Sequence, residues 1–160
     1  IGDTIKITSL NPFRIKIVGR TKHFINAFGE ELMVENAETA IAYAAHKTQA
    51  IMANFTAGPK FIGTENRGSH EWIVEFEKEP HHLNQFVEML DQKLREVNSD
   101  YDAKRKGDIA LELPTVHSVP VHTFYKWMEK RGKLGGQNKV PRLANDRQYL
   151  DSILQMIKSN

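Results

Sequence analysis

The residues of this chain best suited to chemistry are its cations, and the densest group of them surrounds residues 132–143, "GKLGGQNKVPRL". Glycines let backbone amides approach an anion closely, and a lysine brings a compact, mobile charge to a phosphate. Lys130, Arg131, Lys133, Lys139, Arg142 and Arg147 gather around that stretch, while Lys104, Arg105 and Lys106 form a second basic group. The phosphate-binding pattern GxxxxGK[ST] is not met, because Val140 follows Lys139. By composition alone the stretch reads rather as an exposed basic loop between two helices.

Other chemistries have less to stand on. His81 and His82 are adjacent and so point in different directions, and no HExxH or carboxylate spacing completes a metal site. The seven histidines read as solvated surface groups, and no residue is assigned to a metal. "GSH" at residues 68–70 lacks the GxSxG of a nucleophile elbow. The acidic runs "GEEL" and "EFEKE" offer carboxylate pairs for acid–base work, but at a turn and on the outer face of a strand they read as solvating residues.

To hold such a loop the chain must build a frame, and 160 residues with 40% hydrophobic composition suffice for one sizeable core. In "RIKIV", residues 14–18, alternation predicts a strand after a turn at Asn11 and Pro12, and "HFINAFGEEL" reads as short strands and turns around Gly29. Ile41, Ala44, Ala45, Thr48, Ile51 and Met52 recur at helical spacing behind Asn36 as N-cap. Two extended segments follow, punctuated by Gly58 with Pro59 and by residues 66–68. In the second, Trp72, Val74 and Phe76 face one side and Glu71, Glu75 and Glu77 the other, which predicts a half-buried strand. Beyond Pro80, the spacing of Leu83, Phe86, Leu90, Leu94 and Val97 predicts a helix; "NSDYDAKRKGD" reads as a polar loop and "IALEL" as a strand.

From Glu30 to Leu113 the order is therefore strand, helix, strand, strand, helix, strand. It predicts an α+β fold, with a mixed, mainly antiparallel sheet of ferredoxin-like (split βαβ) type and helices packed on it. Extra C-terminal helices are expected over about Val121 to Lys130, with Phe124, Trp127 and Met128 inward, and from about Asn145, burying Leu150, Ile153, Leu154 and Ile157. The basic loop joins these two helices.

Composition narrows the partners. A net charge of +2 with 26% charged residues announces neither a nucleic acid nor a membrane, so any basic surface is local. A ferredoxin-like fold with a basic tail also suits RNA-binding modules. Aligning the relevant strand motif with residues 73–76, however, puts Glu71 and Ile73 where stacking aromatics should stand, and no nucleic-acid partner is expected. The absence of cysteine fits a reducing compartment, and no run approaches the roughly 20 apolar residues of a membrane span, so the expected location is cytoplasmic. The opening "IGDTIKITSL" has neither an initiator Met nor a signal peptide, which reads as a piece of a longer protein.

Three strings belong together: "IGD" at residues 1–3, "GRTKHFINAFGEEL" at 19–32 and "GGQNKVPRL" at 135–143. In order and separation they resemble the C-terminal part of the adenylate-forming superfamily. In finer detail "HFINAFGEEL", "HEWIVEF", "NSDYDAKR" and "GGQNKVPRL" resemble the auxin-responsive (Gretchen Hagen) family of acyl acid amido synthetases, in its bacterial branch, over most of the chain.

The resemblance implies the C-terminal lid of an ATP-dependent ligase that adenylates a carboxylic acid and then transfers the acyl group to an amino acid amine. Residues 1–20 would end the large N-terminal domain as its strand and hinge region, and residues 21–160 would form the lid. It implies nucleotide-binding roles for Asp3, through the ribose hydroxyls, and Arg20, and a catalytic role for Lys139 between carboxylate and α-phosphate. Lys22 falls at the hinge, although Thr21, Lys22 and His23 replace the superfamily's acidic residue followed by "IK". ATP is the implied cofactor, with Mg2+ bound mainly by the N-terminal domain. The implied partners are that domain, the carboxylic acid and the amino acid, and the piece alone is expected to be inactive. The alternatives are the lid of an adenylate-forming acyl-CoA ligase and a non-catalytic ferredoxin-like binding module with a basic loop.

Overall fold

The computed structural model describes residues 3–20, 23–63, 67–108, 110–136 and 138–159. A hairpin comes first, β1 (Asp3–Leu10) antiparallel to β2 (Phe13–Arg20) around the turn at Asn11 and Pro12. Next, β3 (Phe24–Ile25) and β4 (Leu32–Met33) make a two-residue ladder that leads into α1 (Val34–Lys47). The main sheet consists of β5 (Ile51–Phe61), β6 (Gly68–Lys78) and β7 (Thr115–Val119), with β6 in the centre. β5 and β6 are antiparallel; β7 runs parallel to β6 because α2 (Leu83–Val97) and α3 (Ser99–Arg105) carry the chain back between them. α4 (Thr123–Lys130) and α5 (Gln148–Lys158) close the chain.

This is the α+β class the sequence predicts, with a mixed sheet, helices packed on it and two additional C-terminal helices. The order strand, helix, strand, strand, helix, strand is also present. Its first strand is β4, which pairs with β3 and stays outside the main sheet. The last strand begins at Thr115, beyond "IALEL", where Leu111 makes only an isolated bridge to Gly68. Gly68 is required at that crossing, since a Cβ there would overlap the Phe28 ring and the Lys60 carbonyl.

Two cores share the sheet. Phe55, Ala57, Trp72, Val74 and Phe76 pack against the apolar faces of α1 and α2. On the opposite face Ile73 and Val119 pack against Phe124, Trp127, Leu150 and Ile153 of α4 and α5. Both faces of β6 are thus covered, and residues 68–76 are all buried. The half-buried strand expected from sequence is corrected here, because Glu71 and Glu75 lie beneath the C-terminal helices and do not meet solvent. Helix starts also differ. Asn36 is the third residue inside α1, where its Oδ1 accepts the Met33 N–H at 3.2 Å, and Ile51 and Met52 already belong to β5. Residues 99–105 form a helix and not a polar loop, since Asn98 Oδ1 caps it by accepting the Tyr101 N–H at 2.7 Å and Tyr101 is fully buried. Asn145 is not the cap of α5; its Oδ1 accepts the Asn26 N–H at 2.7 Å, tying the β3–β4 segment to the C-terminal region.

Candidate functional site

The loop singled out by sequence departs from α4 through a left-handed C-cap. Gly132 has φ +62°, its N–H donates to Glu129 O at 2.9 Å, and the Lys133 N–H donates to Met128 O at 2.9 Å. This pattern absorbs the last free carbonyls of the helix and needs a residue at ease with positive φ. Gly135 and Gly136 also have positive φ, with open space on their side-chain positions. Between Leu134 and Val140 the described hydrogen bonding is a single contact, Asn138 Nδ2 to Gly135 O at 3.3 Å.

At Pro141 the chain is fastened again. Thr56 Oγ1 donates to Pro141 O at 2.7 Å, the Ala57 N–H donates to Arg142 O at 2.9 Å, and the Ala144 N–H returns to Ala57 O at 3.1 Å. Leu143 is fully buried and bridges Ala57, so residues 142–144 lie along β5 like a short extra strand. Lys133 and Lys139 are exposed, and among the described residues neither has a hydrogen-bond or ion-pair partner. A groove of about 520 Å³ opens beside the loop, with Glu38, Asn54, Glu75, Tyr125, Lys139 and Arg142 in its lining. Its lining combines the Lys133 and Lys139 ammonium groups with two carboxylates, of which Glu75 is already engaged: its Oε1 accepts the His122 N–H at 2.8 Å and its Oε2 the Phe124 N–H at 2.9 Å, at the start of α4.

The other site residues named from sequence fall elsewhere. Asp3 and Arg20 are cross-strand partners at the open end of the β1–β2 hairpin, so the backbone brings these two together. Lys22 lies outside the described residues. The second basic group is not a cationic patch: Arg105 is buried, with Nε 2.7 Å from Asp91 Oδ1, Lys104 is half-buried, and Lys106, which is exposed, pairs with Asp102 at 3.3 Å.

Sequence reasoning missed the buried carboxylates. Glu30 is fully buried, Oε1 lying 2.8 Å from His70 Nε2 and Oε2 accepting the Phe28 N–H at 2.7 Å. Burial pushes the Glu30 carboxyl upward, yet the hydrogen bond and charge of the His70 ring and the backbone N–H groups outweigh it and hold the group below its ordinary 4.5. Glu71 is likewise raised by burial but lowered further by His117, at 2.7 Å, and by Arg147, whose Nη1 is 2.6 Å away. The available signal was Ile73, an apolar residue between the two glutamates on the face taken as outer, together with two later amphipathic helices in need of a surface.

A sign follows for stability. Carboxyls with depressed folded values bind fewer protons folded than unfolded near pH 4, so their contribution is fully present above about 4.5 and is lost as pH falls through the folded values. Urea midpoints should therefore drop on acidification below pH 4.5, and Glu30→Gln should flatten that slope. The same slope in both proteins would remove Glu30 from the account.

The fold defined by these elements is that of acyl acid amido synthetase structures. A structure of "GH3.15 acyl acid amido synthetase" aligns over 97% of this chain and 30% of its own, with a TM-score of 0.72 and 18% identity. One of "AtGH3.15 acyl acid amido synthetase in complex with 2,4-DB" aligns over 97% and 29%, with a TM-score of 0.69 and 17% identity. This likeness is one of fold, and the chain spans less than a third of either protein. The family model of the GH3 family C-terminal domain matches residues 35–148, and the chain belongs to the GH3 family. A comparison with curated protein sequences gave no match. No helix among the described residues is long and apolar enough to cross a membrane.

Proposed function

We propose that this chain is the C-terminal lid of an ATP-dependent acyl acid amido synthetase, working in the cytoplasm together with its own N-terminal domain. The observation that carries the reading is Lys139: a cation with no partner among the described residues, on a glycine-flanked loop fastened at both ends to the body of a GH3 C-terminal domain. In the first half-reaction a carboxylate oxygen attacks the α-phosphorus of ATP, and the bond to the leaving pyrophosphate breaks. Negative charge accumulates between carboxylate and phosphate, where an ammonium group lowers the barrier most. In the second, an amino acid amine attacks the acyl carbon, loses a proton and displaces AMP. Lys139 serves the first step, Asp3 accepts hydrogen bonds from the ribose hydroxyls, and Arg20, opposite it in the hairpin, donates to ribose or phosphate oxygens. Lys22 stands at the hinge. Mg2+, with the triphosphate, is assigned mainly to the N-terminal domain.

The hairpin supports placing residues 1–20 with that larger domain. Ile5, Ile7, Leu10, Phe13 and Ile15 are each more than half exposed, and a lone two-stranded ribbon is marginal in water. Its apolar side chains need a further surface, which the preceding domain would supply. Without that domain the chain lacks most of the nucleotide site and is inactive by this reading.

The test uses the full-length protein that carries this chain. Acid-dependent release of pyrophosphate from ATP is expected, followed by discharge of the adenylate on adding amino acids. Discharge by coenzyme A instead would make it an acyl-CoA ligase, and the absence of any acid-dependent pyrophosphate release would overturn the adenylating reading altogether.

A further inference from the structure

Of the cations that line the groove, Arg142 is the one held by the strand beneath it. It is half-buried, its guanidinium carbon lies 4.7 Å from the centre of the Phe55 ring, and Nη1 donates to Asn54 Oδ1 and to Phe55 O at 3.3 Å. Nε is 3.8 Å from Glu38 Oε1, and its own carbonyl accepts the Ala57 N–H. Burial lowers the guanidinium below its ordinary value while Glu38 pulls the other way. Nη1 is thus committed to β5, and one face of the guanidinium is covered by the Phe55 ring.

The strand beneath explains the arrangement. The β5–β6 register is Met52↔Phe76 and then Asn54↔Glu75, so β5 carries an extra residue, Ala53, at this point. Such a bulge re-aims the side chains beside it. Asn54 holds Arg142, at the C-terminal end of the loop. Its cross-strand partner Glu75 holds the first turn of α4, the helix whose other end begins the loop. One cross-strand pair thus secures both arms of the loop that bears Lys139.

We propose that Arg142, seated on Asn54 and the Phe55 ring at this bulge, is a positioning residue that fixes where Lys139 stands. The proposal rests on the reading of Lys139 given above. A forked, planar guanidinium stacked on a ring and divided between two acceptors fixes direction as well as distance, which a lysine in its place would not do.

The experiment is a double-mutant cycle in the full-length protein, reading acid-dependent pyrophosphate release. Arg142→Met is expected to lower kcat by about 10–100-fold with KM for ATP changed little, since a misplacement of about 1 Å can cost about 100-fold. In the Lys139→Ala background the same substitution should have almost no further effect, because groups that act through one another are non-additive. Arg142→Lys should resemble Arg142→Met. Asn54→Ala should lose activity and Asn54→Asp should retain it, which covers the case of Arg142→Met failing to fold, as judged by circular dichroism. An equal loss from Arg142→Met in both backgrounds, or no loss in the first, overturns the proposal. If Lys139→Ala alone leaves release unchanged, the reading of Lys139 has failed, and any loss from Arg142→Met then comes from another cause.

Discussion

On the role proposed for it, replacing Lys139 with alanine in the full-length protein is expected to lower acid-dependent pyrophosphate release by about 100- to 1,000-fold, while the melting temperature of the C-terminal domain stays where it was. The size follows from removing one preorganised electrostatic contact to charge that develops in the transition state. The unchanged stability follows from the structure: Lys139 is exposed and has no hydrogen-bond or ion-pair partner among the described residues, so truncation leaves nothing buried and unsatisfied. Lys133→Ala is the matched control. It removes the same charge six residues earlier in the same loop and should cost less than about threefold, as expected of a rim charge in water. Equal losses from the two variants would show that the loop acts by net charge and not through one positioned ammonium.

The largest loss of stability is expected from Asp91→Ala. Asp91 Oδ1 accepts the Tyr101 hydroxyl and Arg105 Nε, each at 2.7 Å, and Oδ2 accepts Arg105 Nη2 at 3.1 Å. Arg105 Nη1 continues to Leu111 O at 2.8 Å, so a single carboxylate joins α2, α3 and the segment that bridges Gly68. Burial, and then the Asp91 charge, push the Tyr101 hydroxyl well above its ordinary range, and the phenol stays a donor at any working pH. Removing Asp91 takes the counter-charge from a buried guanidinium and the acceptor from a buried phenol, which costs about 3–5 kcal/mol. For a domain of this size that corresponds to a fall in Tm of roughly 10 °C. Arg95→Ala breaks the nearby, more exposed pair with Asp102 and should leave Tm almost unchanged. A shift of no more than 1 °C for Asp91→Ala would show that water replaces the lost carboxylate and that the network does not hold the three segments.

What the sequence made legible was whatever rests on local period. The inward faces of α2, α4 and α5 follow from apolar spacing alone, and Phe86, Leu90, Leu94, Phe124, Trp127, Met128, Leu150 and Ile153 are all buried. The glycine-rich loop was legible too, because positive φ at Gly132, Gly135 and Gly136 depends on residue type. β6 was misread for a reason that acts at a distance. Alternating Glu and apolar residues describe a strand wetted on one side only when nothing later in the chain covers that side. Here α4 and α5 do, and each glutamate is matched on arrival: Glu75 by the first N–H groups around α4, Glu71 by Arg147 ahead of α5. The same holds for His70, which meets Glu30 from forty residues away, and for Arg105, drawn inward by Asp91. For the candidate site, the pairing of Asp3 with Arg20 needed the hairpin register, whereas the lack of a partner for Lys139 among the described residues needed the tertiary surface around it.

The fastening of the loop sets a limit on travel. Pro141, whose carbonyl is held by Thr56, is only two residues beyond Lys139. At about 3.5 Å per extended residue the Lys139 Cα stays within roughly 7 Å of that fixed point, whatever the glycines permit. Within that radius the glycines allow fine adjustment. A longer journey, such as withdrawal of the ammonium from a reacting phosphate to clear the path for an amine, would require the entire three-layer body to rotate and carry the loop with it.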